Sequence, residues 1–133
     1  MTNKSELIQL ALEARKKTYS PYSNYAVGAA LLTRSGKIYT GANIENAAYG
    51  LTVCAERTAI FKAVLDGERA FERIIVATRD GGSPCGSCRQ VMAEFDLDMI
   101  ITMVNENGEI TAEGTVREFL PYSFTPRNLD QNA

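Results

Sequence analysis

Cys54-Ala55-Glu56 and Pro84-Cys85-Gly86-Ser87-Cys88 hold all three cysteines of the chain, which has no histidine. Cysteine and histidine are the usual soft ligands of zinc, and a structural zinc site closes with four of them. If Cys54, Cys85 and Cys88 share one metal, the fourth position falls to a carboxylate, a partner chain or a water. Three protein ligands and a water form the pattern of a catalytic zinc, since the open position is where chemistry happens. Glu56, two residues past Cys54, is placed to handle that water's proton. The residues point to a zinc hydrolase.

Cys54 and the Cys85/Cys88 pair each fall at the start of a predicted helix. Helix N-termini carry partial positive charge and unpaired N–H groups, which lower thiol pKa and stabilise thiolates. Three thiolates on Zn²⁺ leave about −1 of charge, and a hydroxide would take it to about −2. So anionic a centre needs an offset. Arg57, next to Glu56, and Arg89, next to Cys88, are the candidate donors to sulfur. Plainer readings exist for each piece. Cys85-x-x-Cys88 alone could be a redox pair, which would leave Cys54 and Glu56 without a role. Glu56 alone could be a solvated first-turn carboxylate, and both arginines could be surface residues.

Around these residues the periodicity predicts a helix over 5–18, with Leu7, Ala11 and Ala14 on one face, broken by Pro21 and Ser23-Asn24. Strands are predicted over 25–33 and 38–42, joined as a hairpin through Arg34-Ser35-Gly36-Lys37. A small-residue loop over 43–52 leads to a helix over 54–65 that stops at Gly67. Then follow a buried strand over 73–78, a helix over 86–95, a strand over 99–104, a hairpin strand over 109–112 and a short helix over 115–120. This order predicts an α/β fold with helices packed on a mixed five-stranded sheet.

The 133 residues read as one domain over 1–133, with a polar tail after about 126, and 45% hydrophobic content supports a packed core. A net charge of −2, from 14 basic and 16 acidic residues, offers no stripe for a phosphate backbone, so no nucleic-acid partner is expected. The polar N-terminus carries no signal-peptide pattern, and no run approaches the ~20 apolar residues of a membrane span. A cytoplasmic protein with no membrane partner is the expectation, and the odd cysteine count fits reduced thiols better than a disulfide scaffold.

Cys-Ala-Glu opening one helix and Pro-Cys-x-x-Cys opening the next resembles the zinc nucleoside and nucleobase deaminases, in which the glutamate is acid/base and not a ligand. The segments Tyr22-Ser23-Asn24-Tyr25-Ala26-Val27-Gly28-Ala29-Ala30, Gly41 through Gly50 and Cys85-Gly86-Ser87-Cys88-Arg89-Gln90-Val91 resemble the small cytidine deaminases. With Leu120-Pro121 and Phe124, the resemblance covers almost the whole chain. It implies a three-layer αβα cytidine-deaminase-like fold, one Zn²⁺ per subunit, a cytidine or deoxycytidine substrate, and a homotetramer with shared active sites. By the same resemblance Cys54, Cys85 and Cys88 would hold zinc, Glu56 would shuttle protons, and Asn43 and Glu45 would bind the ribose hydroxyl. Tyr25 stands where the family usually carries a phenylalanine against the pyrimidine, and its extra hydroxyl needs a partner if buried. Ala47, Tyr49 and Phe124 match positions that reach a neighbouring subunit's site. The alternatives are a deaminase of another cytosine compound, such as the blasticidin S type, or a non-catalytic zinc-stabilised binding module. A polynucleotide deaminase fits the acidic balance poorly.

Overall fold

The computed structural model describes residues 2–129. The part of the expected tail beyond Leu129 lies outside the described residues. Helix α1 (Lys4–Arg15) begins at Asn3, whose side chain accepts from the Glu6 N–H at 2.8 Å. It ends at Arg15, short of the predicted residue 18, because Thr18 turns its hydroxyl onto the Asn43 side chain instead of continuing the helix. Strand β1 (Gly28–Thr33) also starts later than predicted. Its approach is held by Asn43 through both side chain and backbone: the Val27 N–H donates to Asn43 Oδ1 at 3.0 Å, and the Asn43 N–H donates to the Val27 carbonyl at 3.3 Å.

Strand β2 (Ile38–Ala42) returns antiparallel to β1, and helix α2 (Ala55–Leu65) follows the loop, with a short 3-10 turn at Tyr49–Leu51. Then come β3 (Phe71–Ala77), α3 (Gly86–Phe95), β4 (Ile100–Val104) and β5 (Ile110–Thr115). A single-turn helix α4 (Val116–Phe119) starts at a capping box formed by Thr115 and Glu118. The five strands run in the order β2-β1-β3-β4-β5, with only β3 and β4 parallel. That parallel pair is joined through α3, as a parallel connection requires a crossover. Strand β5 runs longer than predicted because Glu113, opposite Thr102, accepts from Thr102 Oγ1 at 2.6 Å and from Arg73 Nη1 at 2.7 Å.

Helices cover both faces of the sheet, which makes three layers. On one face α1 packs Leu7 and Ala11 against Ala30, Leu32, Ile75, Ala77 and Val104. On the other, α2 and α3 place Ala59, Ile60, Ala63, Cys88 and Met92 against Ala29, Leu31, Ile74 and Val76. All six residues of β1 are buried, as a strand covered on both faces requires. Two glycines let the helices lie this close. A Cβ at Gly28 would sit 2.2 Å from the Ala11 carbonyl oxygen of α1, and one at Gly41 would sit 2.5 Å from the Ala55 carbonyl oxygen of α2.

Candidate active site and metal centre

Both cysteine motifs end up where the sequence spacing predicts, as helix caps. Cys54 is the N-cap of α2, and Cys85 is the N-cap of α3, its Sγ accepting from the Cys88 N–H at 3.4 Å. Cys85 lies in the loop that leaves the carboxyl end of β3, the edge at which open α/β sheets gather their ligands. The Sγ atoms of Cys54, Cys85 and Cys88 all lie within 4.8 Å of one another. Cys85 and Cys88 are 3.3 Å apart, and Cys54 and Cys85 are 3.8 Å apart. No cysteine is paired in a disulfide. Three thiols converging on one point at two helix N-termini form a donor set that fits one zinc ion.

The electrostatics agree with that use. The Cys54 thiol is brought down to about 5, first by its hydrogen bond with Cys88 and then by Arg57, against the opposing effect of burial. Cys88 is pushed up by the same hydrogen bond and by burial. The set therefore gives up its first proton readily and keeps the next, which a bound cation would draw off. Arg57 Nη2 donates to Cys54 Sγ at 3.3 Å. Arg89 does otherwise: its recorded bond runs from Nη1 to the Phe119 carbonyl at 2.6 Å, and none reaches a sulfur. The contact between α3 and α4 engages one end of the guanidinium, while Arg89 Nε is buried with no hydrogen-bond partner among the described residues.

Glu56 is in the first turn of α2 and only 3% exposed, and its Oε1 has no hydrogen-bond partner. An unpaired buried carboxylate oxygen is costly and marks a position that receives a partner in the working state. Burial pushes the Glu56 carboxyl up to about 7, with the Cys54 charge adding to the rise. The group can therefore exchange a proton near neutral pH.

Asn43 and Glu45 flank Ile44, which bridges to Tyr19 on one side and Val53 on the other. Asn43 is buried and heavily engaged. Its Oδ1 accepts from the Val27 N–H and the Thr18 hydroxyl, and its Nδ2 donates to the Tyr25 carbonyl at 2.8 Å. One N–H remains free to donate. Glu45 Oε1 accepts from the N–H groups of Tyr22 at 2.9 Å and Ser23 at 3.1 Å, while Oε2 accepts from the Ser23 hydroxyl. The Ser23 hydroxyl, followed by those N–H groups, holds the Glu45 carboxyl below its usual range.

Ser23 and Thr18 are the site-forming residues that motif reading did not single out. Ser23 lay inside the Tyr22-Ser23-Asn24-Tyr25 segment, and the turn signal there was legible: Asn24 adopts φ 55°, a conformation asparagine tolerates. Glu45 lines a cavity of about 360 Å³ with Tyr22, Ser23, Tyr49 and Thr52, within the range of small-molecule sites. Tyr49 thus lines a cavity of its own chain, packing edge-on against Tyr22 at 5.8 Å, yet stays 74% exposed. Ala47 is exposed in the same loop. Phe124 is exposed, and its carbonyl accepts from Gln90 Nε2 of α3 at 2.7 Å. The Tyr25 hydroxyl has found its partner in Asp80, donating to Oδ1 at 2.6 Å.

Comparison with known proteins bears on the same site. Residues 1–104 match the family described as the cytidine and deoxycytidylate deaminase zinc-binding region. A cytidine deaminase of Sporosarcina psychrophila is 50% identical over 131 residues, covering 96% of this chain and 96% of the relative. A cytidine deaminase of Halalkalibacterium halodurans is 50% identical over 127 residues, covering 93% and 96%. Among solved structures, the cytidine deaminase of Burkholderia pseudomallei superposes with a TM-score of 0.89 at 42% identity, covering 92% of this chain and 100% of that one.

Proposed function

The chain belongs to the cytidine and deoxycytidylate deaminase zinc-binding family, and on that premise we propose that it hydrolyses cytidine and deoxycytidine to uridine and deoxyuridine, releasing ammonia. The observation that carries this reading is the buried, unpartnered Oε1 of Glu56 beside three converging thiols. Cys54, Cys85 and Cys88 would hold the zinc, which when bound would supply the acidification of the attacking water.

Glu56 would take one proton of the attacking water at its free oxygen and deliver it to N3 as the oxygen bonds to C4. It would then take the proton of the new C4 hydroxyl and pass it to the amine as the C4–N bond breaks and the carbonyl forms. Water and cytidine in, uridine and ammonia out: the proton count closes on one carboxyl group. Burial serves this cycle by raising the Glu56 carboxyl to about 7, so that it can hold a proton between the two transfers. Arg57 offsets thiolate charge through its bond to Cys54. Arg89 acts at a distance, tying α3 to the α4 segment.

Asn43 has one N–H left to donate, and Glu45 Oε2 has an open lone pair, so together they match one sugar hydroxyl that both accepts and donates. Held there, the sugar sets how far C4 lies from the nucleophile. Tyr25 lies against the base.

The active unit on this reading is a homotetramer with shared sites, to which Ala47, Tyr49 and Phe124 of a neighbour contribute. Support comes from apolar surface that a lone chain leaves in water: Ile44, Leu51, Phe61 and Leu65 line one groove beside Val53, and Leu65 is 89% exposed. The place of the reaction is pyrimidine nucleoside salvage in the cytoplasm. No helix among the described residues is long and apolar enough to cross a membrane.

Ammonia release measured over cytidine, deoxycytidine and blasticidin S, with and without chelator, tests the reading. Chelator-sensitive turnover of the nucleosides is the expected result. Turnover of blasticidin S alone would favour the sister activity, and no turnover with zinc bound would favour a binding module. The two relatives at half identity are both cytidine deaminases, which favours the first outcome.

A further inference from the structure

The loop between β3 and Cys85 is tied down by side chains. Thr78 Oγ1 accepts from the N–H groups of Gly81 at 2.7 Å and Gly82 at 2.9 Å, and Thr111 Oγ1 of β5 donates to the Gly81 carbonyl at 2.8 Å. Asp80 Oδ1 accepts from the Gly82 N–H at 3.3 Å and from the Tyr25 hydroxyl at 2.6 Å. The Arg79 guanidinium lies over the Tyr25 ring, 5.5 Å from its centroid, a second contact from the same loop. Gly82 has a matching constraint: a Cβ there would sit 3.0 Å from the Tyr25 hydroxyl oxygen. A glycine at position 82 thus leaves room for the phenol oxygen beside Asp80.

From these contacts we infer that Asp80 is a positioning residue, clasping the Tyr25 phenol so that the ring against the pyrimidine and the loop entering Cys85 are held as one body. The inference rests on the deaminase reading of the site, in which Tyr25 meets the base. A tyrosine in place of phenylalanine here gains a second anchor, one that reaches into the metal-carrying loop. Tyr25 is half-buried and Asp80 is exposed, so the bond contributes chiefly by fixing direction.

The test is a double-mutant cycle on the zinc-loaded enzyme, read as KM against kcat for cytidine. Tyr25→Phe and Asp80→Ala should each raise KM by about three- to tenfold, the worth of one hydrogen bond, with a smaller change in kcat. The double variant should be no worse than either single one. Asp80→Asn, which keeps a carbonyl acceptor, should restore most of the loss. Gly82→Ala should raise KM in the parent and have no effect in a Tyr25→Phe background. If Asp80→Ala does not fold, Tyr25→Phe with Gly82→Ala carries the same test, since it removes a single oxygen. Unchanged KM in Tyr25→Phe, or losses that multiply in the double variant, overturn the clasp while leaving the deaminase intact. A zinc-loaded parent that releases no ammonia from cytidine overturns the functional reading, and the clasp with it.

Discussion

Arg57 Nη2 donates to Cys54 Sγ at 3.3 Å, joining the residue after the acid/base candidate to the first thiol of the metal centre. A guanidinium on a thiolate draws charge from the metal without competing for it as a ligand. Arg57→Ala removes one charge-assisted bond, worth about 1.5–3 kcal/mol. Zinc affinity, measured by chelator competition, should fall by roughly tenfold or more. Unchanged affinity together with an unchanged pH–rate profile would make Arg57 a bystander.

Glu56→Gln keeps the volume and loses the proton shuttle. Turnover of cytidine should fall by about 10²–10⁴ or more, with zinc content and thermal unfolding close to the parent, because Oε1 makes no bond that folding depends on. A zinc-loaded variant with near-parental turnover would remove Glu56 from the mechanism.

Shared sites make a prediction that single-chain sites do not. Phe124 is held by its backbone to Gln90 while its ring faces outward. Phe124→Ala should weaken substrate binding, and mixing it with inactive Glu56→Gln subunits should recover activity in sites that pair an intact Glu56 with an intact Phe124. An active monomer in sedimentation, or no recovery after verified subunit exchange, would show that each chain carries a complete site.

Stability at low pH should depend on a cluster far from the thiols. Glu113 is held below its usual range first by the Thr102 hydroxyl and then by Arg73 and Lys4. A depressed folded pKa gives stability that is present above the unfolded value of about 4.3 and lost as pH falls through the folded one. Glu113→Gln should therefore unfold at lower urea than the parent near pH 7, and the gap should close on acidification. A gap that stays constant down to about pH 2 would assign the effect to packing instead of charge.

The grouping of Cys54, Cys85 and Cys88, with Glu56 in the same first turn as Cys54, was legible in the sequence because it depends on short spacings at helix starts, and a helix start is a local event. The strands and helices were legible for the same reason, through apolar periodicity. Their ends were less so: α1 stops at Arg15 and β1 starts at Gly28 because the Asn43 side chain captures Thr18 and Val27 from across the chain. Spacing also gave no way to tell Arg57 from Arg89, each adjacent to a site residue. Only the packing of α3 on α4 sent Arg89 to the Phe119 carbonyl. Tyr25 announced that its hydroxyl needed a partner, but Asp80 lies 55 residues away, and no local pattern could choose it. Residues that act through the chain beside them are written into the sequence. Those that act through a partner brought near by the sheet are decided when β1 and β3 pair and set the Tyr25 and Asp80 loops side by side.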